Sequence, residues 1–173
     1  MITILRLGHR VFRDKRTSTH VFLASRALGA DKGIYTGEHD RHLEDSVKKT
    51  VEQWGGSFRI RHSESWKQEM TRFKGIKVHL TVYGMPFQNI VKEIRKQTKK
   101  KDLMIIVGGE KVPPEVYKLA DYNLQVTGQP HSEIAGLALF LHEYFQGKEL
   151  GKEFAKARLK VVPQEMGKKV LKQ

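Results

Sequence analysis

The sequence contains no cysteine, and this absence excludes several kinds of chemistry. Without thiols the chain forms no disulfide, and it offers no thiolate ligand for zinc or an iron–sulfur cluster and no cysteine nucleophile. Any catalysis must therefore use oxygen and nitrogen groups. Among eight histidines, His39 and His42 are close neighbours, but no third ligand follows at a convincing spacing, so we expect no metal site.

Long apolar runs are absent as well. No stretch reaches the roughly 18 residues that a membrane-spanning helix needs. Residues 1–7 are too short for a signal peptide and are soon followed by Arg10, Arg13 and Arg16. We therefore expect a cytoplasmic protein with no membrane partner.

Acidic residues are few relative to basic residues. Lysine and arginine number 32 against 19 aspartates and glutamates, which leaves a formal charge of +13 on 173 residues. A charge of this size and sign favours a polyanionic partner, and we expect nucleic acid. The length is sufficient for one ordinary domain with a single core.

The hydrophobic pattern alternates between short β-rich runs and helical periods. Strands are predicted at residues 2–7, 33–35, 58–60, 78–82, 104–107 and 123–126, and helices at 19–28, 42–54, 66–73, 87–100, 114–119 and 132–145. This order predicts an α/β fold, a mainly parallel six-stranded sheet with helices on both faces. Residues 1–146 form this domain, and residues 147–173, with eight basic residues against three glutamates, form a basic C-terminal extension that we expect to be partly helical.

Glycine-containing turns follow three of the predicted strands, at Gly84, Gly108 and Gly128. Each of these turns alone could simply end a strand. Ligands of parallel sheets, however, bind beyond the carboxyl ends of the central strands, and glycine lets backbone groups approach a ligand closely. The three turns together therefore predict one binding pocket.

Several short motifs resemble those of the SPOUT superfamily of ribose methyltransferases. The spacing from His20 to Arg26 and on to Gly29-Ala30 is similar to the family's first motif, with histidine in place of asparagine. The second motif resembles Ile105-Ile106-Val107-Gly108-Gly109-Glu110, and the third resembles His131-Ser132-Glu133-Ile134-Ala135-Gly136.

The departures from these motifs match one branch, the archaeal tRNA cytidine-56 2′-O-methyltransferases. Its signatures are similar to Leu5-Arg6-Leu7-Gly8-His9-Arg10, Arg13-Asp14-Lys15-Arg16, Leu80-Thr81-Val82-Tyr83-Gly84, Gly108-Gly109-Glu110-Lys111-Val112-Pro113 and Gln129-Pro130-His131-Ser132-Glu133. The resemblance covers about residues 2–146. It implies a tRNA substrate, a deep trefoil knot and a homodimer with its active site at the subunit interface.

The resemblance also implies that the cofactor is S-adenosyl-L-methionine. The cofactor-binding residues would be Leu80, Thr81, Tyr83, Gly84, Gly108, Gly109, Glu110, Lys111, Val112, Val126, Thr127, Gly128, Gln129, Pro130, His131, Ser132 and Glu133. Arg26 would be the catalytic residue. Because a guanidinium is a poor base, we expect it to hold a phosphate and stabilise the developing alkoxide rather than remove a proton.

The RNA-binding residues are expected in a basic loop before the first helix and at the start of that helix: Arg10, Arg13, Lys15, Arg16 and His20. Two alternatives remain open. One is an RNA-binding protein that has lost the methyl donor, although the intact glycine turns argue against it. The other is a SPOUT enzyme with a different RNA target.

Overall fold

The computed structural model describes residues 1–109 and 111–173, and in these residues six strands form one sheet. Its strands are β1 (Ile2–His9), β2 (Lys32–Gly37), β3 (Arg59–His62), β4 (Gly75–Pro86), β5 (Asp102–Val107) and β6 (Tyr122–Gln125). The helices between and after them are α1 (Val11–Ala27), α2 (Arg41–Trp54), α3 (Trp66–Arg72), α4 (Val91–Gln97), α5 (Pro114–Leu119) and α6 (Glu133–Phe145).

The strand order is β3-β2-β1-β5-β4-β6, and every neighbouring pair is parallel. The predicted parallel sheet is therefore confirmed. From β1 the chain moves outward to β2 and β3, and it then returns to build the other half of the sheet. The order reverses between β1 and β5, and a crevice opens at the carboxyl ends of such a strand pair.

The sheet carries a hydrophobic cluster on each face. Alternate residues of β1 point to opposite faces, so that Ile4 joins the cluster of Phe22 and Phe140 while Leu5 joins the cluster of Met70. Helices α1, α2, α4 and α6 contribute to the first cluster, and α3 and α5 cover the second. Burial on both faces explains why β5 is apolar without alternation.

Helix α1 begins earlier than the sequence indicates. We expected a basic loop followed by a helix from residue 19, but the helix starts at Val11, so that Arg13, Lys15 and Arg16 are helical. Two carboxylates make this possible because they accept from backbone groups at the helix start: Arg10 N donates to Asp14 Oδ2 at 3.2 Å, and Val11 N donates to Glu38 at 2.6 Å.

The segment after α6 is a hairpin more than a helix. A 3-10 turn at Lys148–Gly151 is its helical part, and β7 (Leu159–Val162) pairs antiparallel with β8 (Lys169–Lys172). The expectation of a partly helical extension was therefore correct for one turn only. Backbone hydrogen bonds attach the segment to the end of α2: Gly56 N donates to Ala155 O at 2.8 Å, and Arg158 N donates to Gln53 O at 2.9 Å.

The helix predicted at 87–100 is also divided, into a 3-10 turn at Phe87–Asn89 and the short α4. Thr98 ends α4, where its hydroxyl donates to Ile94 O at 2.8 Å. In the described part of the chain, no helix is long and apolar enough to cross a membrane. The trefoil knot and the division at residue 146 stay predictions.

Candidate active site

A cavity of about 550 Å³ opens at the carboxyl ends of β1, β4 and β5. Its walls come from the end of β4, from the turn after β5 and from the start of α6, together with side chains of β1 and α1. The predicted turns contribute to it unequally. The turn at Gly108 lines the cavity, whereas Gly84 lies inside β4 rather than in a turn and does not line it. Gly128 does not line it either, but His131 and Glu133, a few residues further on, do. A larger cavity of about 730 Å³ lies at the opposite edge of the sheet, around Met1 and Lys32, and contains none of the predicted site residues.

Eight of the predicted cofactor residues line the cavity: Leu80, Thr81, Tyr83, Gly108, Gly109, Val112, His131 and Glu133. Eight others do not: Gly84, Lys111, Val126, Thr127, Gly128, Gln129, Pro130 and Ser132. Lys111 lies beside a smaller adjoining cavity, and Ser132 caps α6 by accepting from Ala135 N at 3.1 Å. The remaining predicted residue, Glu110, lies outside the described residues.

A side chain would be excluded at Gly136 and at Gly84, for a different steric reason at each position. A Cβ on Gly136 would lie 2.7 Å from Cε1 of His131, so a larger residue there would push the imidazole. A Cβ on Gly84 would lie 2.5 Å from the backbone of Asn123, which cannot yield in the same way. Gly136 therefore leaves room beside the cavity, whereas Gly84 allows β4 to approach β6.

Arg6 lies at the floor of the cavity and is 1% exposed. One guanidinium nitrogen donates to the carbonyl of Gly108, and a second lies 3.7 Å from the carboxylate of Glu133. Nε has no partner among the described residues. Burial lowers the pKa of Arg6, and the charge of Glu133 opposes that shift. The side chain thus connects the turn after β5 with the start of α6.

His79 also borders the cavity and has no solvent exposure. Sequence reasoning assigned no role to Arg6 or His79. Each is a titratable side chain between two apolar neighbours in a strand, Leu5 and Leu7 for Arg6 and Val78 and Leu80 for His79. Burial of such a side chain is costly unless it has a partner. That pattern is the signal that could have identified both.

The mouth of the cavity is formed by the first turn of α1. Arg10 Nε donates to Asp14 Oδ2 at 2.9 Å, and this hydrogen bond holds the pKa of the Asp14 carboxyl below its ordinary value. Arg13 lines the same mouth. The other predicted RNA-binding residues, Lys15, Arg16 and His20, are exposed further along α1 and do not line the cavity.

Arg26 lies at the other end of α1. It follows Arg13 by thirteen positions in the sequence, which corresponds to about 20 Å along a helix. Its guanidinium donates to the carbonyls of Trp54 and Gly55 at 2.8 and 2.7 Å and lies 4.5 Å from the centre of the Phe154 ring. Within one protomer, Arg26 therefore does not join the residues at the cavity.

His131 lines the cavity, and its hydrogen bonding determines which ring nitrogen can accept a proton. Its Nδ1 lies 3.0 Å from the carbonyl oxygen of Ser132, which can only accept, so Nδ1 carries the proton. In the neutral ring, Nε2 then has a free lone pair. His131 therefore offers a proton acceptor near basic side chains.

In the described part of the chain, no three metal-ligating side chains form a cluster.

Comparison with solved structures shows the class to which this fold belongs. The A. aeolicus TrmH/SpoU tRNA-modifying enzyme superposes with a TM-score of 0.60 over 86% of this chain and 75% of that chain, at 16% identity. The methyltransferase AviRb of Streptomyces viridochromogenes, in complex with AdoMet, superposes with a TM-score of 0.55 over 86% of this chain and 59% of that chain, at 14% identity. The fold is that of the SpoU/TrmH class of SPOUT methyltransferases.

Sequence comparison identifies the particular family. Residues 54–171 match the family described as tRNA ribose 2′-O-methyltransferase, aTrm56. The tRNA (cytidine(56)-2′-O)-methyltransferase of Methanocaldococcus jannaschii is 53% identical over 175 residues, which cover 100% of this chain and 97% of the relative. The chain belongs to this family, and the similarity includes the C-terminal hairpin.

Proposed function

We propose that the protein transfers a methyl group from S-adenosyl-L-methionine to the ribose 2′-hydroxyl of cytidine-56 in the T loop of archaeal tRNA. The observation that supports this most strongly is the cavity between the end of β4, the turn after β5 and the start of α6, with basic residues at the start of α1 at its mouth. The Methanocaldococcus jannaschii relative is named for 2′-O-methylation of cytidine-56 in tRNA. The net charge of +13 suits an RNA substrate.

The cavity fits a cofactor of this kind. Its volume of about 550 Å³ lies within the range of small-molecule sites, roughly 300–1,000 Å³. Arg6 and His79, which border it, each have a buried polar atom without a partner in residues 1–109 and 111–173. The absence of a side chain at Gly136 leaves space beside His131. Bound there, the cofactor would supply an electrophilic methyl group on a sulfonium. Leu80, Gly108 and Glu133 are among the residues that would hold it.

The arginines at the mouth take the role that the sequence suggested for Arg26. Arg10 is oriented by Asp14, and Arg13 lies beside it on the first turn of α1. Guanidinium groups stay protonated, so these residues would hold the phosphates next to the target ribose and stabilise negative charge on its oxygen. A catalytic role of Arg26 stays a prediction that would require its approach to the site of a partner subunit.

The hydroxyl proton needs an acceptor, and we assign this role to His131. Its Nε2 has a free lone pair because Nδ1 faces the carbonyl oxygen of Ser132. Glu133 is less suited because it already faces the cation of Arg6. A general base positioned in this way contributes about 10²–10⁴-fold to a rate.

The RNA would approach across the start of α1. Besides arginines, this surface presents two exposed aromatic rings: Phe12 has full exposure and Tyr83 is 84% exposed. Unpaired loop bases stack on rings of this kind. A homodimer is also part of the proposal, since exposed apolar residues such as Leu139 on α6 are available for a subunit contact.

Nucleoside mapping tests the proposal. An unmodified archaeal tRNA transcript is incubated with the protein and labelled S-adenosyl-L-methionine, and a second transcript carries 2′-deoxycytidine at position 56. One 2′-O-methylcytidine is expected in the first transcript and none in the second. Labelling of a base or of another nucleotide would favour a different target, and the absence of labelling together with tRNA binding would favour the non-catalytic alternative.

A further inference from the structure

The imidazole of His79 has one satisfied nitrogen and one unsatisfied nitrogen. Nδ1 lies 2.9 Å from Asn123 Oδ1. Nε2 is buried and has no hydrogen-bond partner in the part of the chain that the structure describes, although the residue borders the cavity. The ring is held edge-on against Tyr117, with 4.7 Å between the ring centres. Buried polar atoms in proteins nearly always have a partner, so this one indicates a ligand.

Asn123 determines where the proton of the imidazole lies. Its Nδ2 donates to the carbonyl oxygen of Tyr117 at 2.9 Å, and only the amino side of the amide can make that bond. The oxygen of the Asn123 amide therefore faces His79 and accepts from Nδ1–H. Burial lowers the pKa of His79, so the ring is neutral at pH 7 and has no second proton. Nε2 is consequently an acceptor.

We propose that His79 Nε2 accepts a hydrogen bond from the adenosyl part of the methyl donor, either from the adenine amino group or from a ribose hydroxyl. This inference rests on the proposed function and adds a recognition residue to it. The amino acid end of the cofactor is a poorer match because its ammonium would have to lose its hydration beside a neutral, fully buried ring. The adenosyl groups donate without carrying a charge.

Calorimetric titration of two variants with S-adenosylhomocysteine distinguishes the contributions of the two ring nitrogens of His79 to binding. His79→Asn keeps a donor near Asn123 but removes the acceptor, whereas His79→Gln places an amide oxygen near the former Nε2. We expect His79→Asn to bind about 10-fold more weakly than the wild type, and His79→Gln to recover most of the affinity. Circular dichroism and thermal unfolding establish that each variant is folded.

Ligand analogues then identify the donor. S-inosylhomocysteine lacks the adenine amino group, and 2′-deoxy and 3′-deoxy analogues each lack one ribose hydroxyl. The analogue that lacks the donor should bind more weakly to the wild type and lose little further affinity in His79→Asn, because the two changes remove the same bond.

Two results would overturn the inference while leaving the proposed function intact: a folded His79→Asn variant with wild-type affinity, or equal analogue losses in wild type and variant. If His79→Asn does not fold, a wild type insensitive to all three analogues overturns it. A wild type that binds no S-adenosylhomocysteine contradicts the proposed function itself.

Discussion

Replacement of Arg26 by alanine should lower the free energy of unfolding and have little effect on the rate of methylation. The guanidinium donates to the carbonyls of Trp54 and Gly55 and lies 4.5 Å from the Phe154 ring centre, so it ties the end of α2 to the segment before β7. Hydrogen bonds to a charged donor contribute about 1.5–3 kcal/mol each, and a cation–π contact contributes about 0.5–1 kcal/mol. Because such contributions are not additive, we expect a loss of about 3 kcal/mol in the free energy of unfolding.

Thermal unfolding gives the readout. For a chain of this size, about 3 kcal/mol corresponds to a fall in Tm of about 6–12 °C. Methylation is then measured at a temperature where wild type and Arg26→Ala are both folded. We expect the rates to agree within about threefold, since within one protomer the side chain lies about 20 Å from the mouth of the cavity along α1. Arg26→Lys serves as the matched control and should restore part of the stability. An unchanged Tm with a loss of activity above about 100-fold would refute this reasoning and support a catalytic Arg26.

Other perturbations have equally specific outcomes. Arg13→Ala should weaken tRNA binding and reduce the slope of log K against log salt by about one, with S-adenosylhomocysteine affinity unchanged by calorimetry; an unchanged slope would remove Arg13 from the RNA surface. His131→Ala should lower the methylation rate about 100-fold or more at saturating tRNA, and a rate within threefold of wild type would exclude it as the proton acceptor. Burial lowers the pKa of His79 in the folded chain, so the unfolded chain takes up a proton first as the pH falls. The stability that depends on the neutral ring is therefore present above the ordinary histidine pKa of 6.5 and is lost as the pH falls toward the folded pKa; denaturant titrations of His79→Gln should show a weaker pH dependence than wild type. Gly84→Ala should cost at least about 2 kcal/mol, because its Cβ would meet the backbone of Asn123, and an unchanged denaturation midpoint would contradict that packing.

The sheet could be predicted because its signals are local. An apolar run such as Met104–Val107, followed by Gly108, indicates both a central strand and the edge where a ligand binds. The start of α1 could not be predicted in the same way. It depends on a carboxylate from Glu38, which lies 27 residues beyond Val11 in the sequence, and no local pattern reveals such a partner.

The candidate site likewise contains residues that local sequence patterns indicate and residues that only the fold reveals. Motif spacing suggested Arg26, but a helix that starts at the mouth of the cavity carries residue 26 to the opposite edge of the sheet. Motif matching included Arg6 without assigning it a role and did not include His79. Both are buried polar groups whose roles depend on which strands lie side by side. Strand order is a property of the whole fold, so their neighbours became known only with the structure.

A crystal structure of the protein with S-adenosylhomocysteine is the most direct test of the proposed site. We expect the ligand between Leu80, Gly108 and Glu133, with an adenosyl nitrogen or oxygen within about 3.2 Å of His79 Nε2, and with the sulfur facing the mouth formed by Arg10 and Arg13. Density for the ligand at the opposite edge of the sheet, near Lys32, or a folded complex with the cavity still empty, would contradict the account.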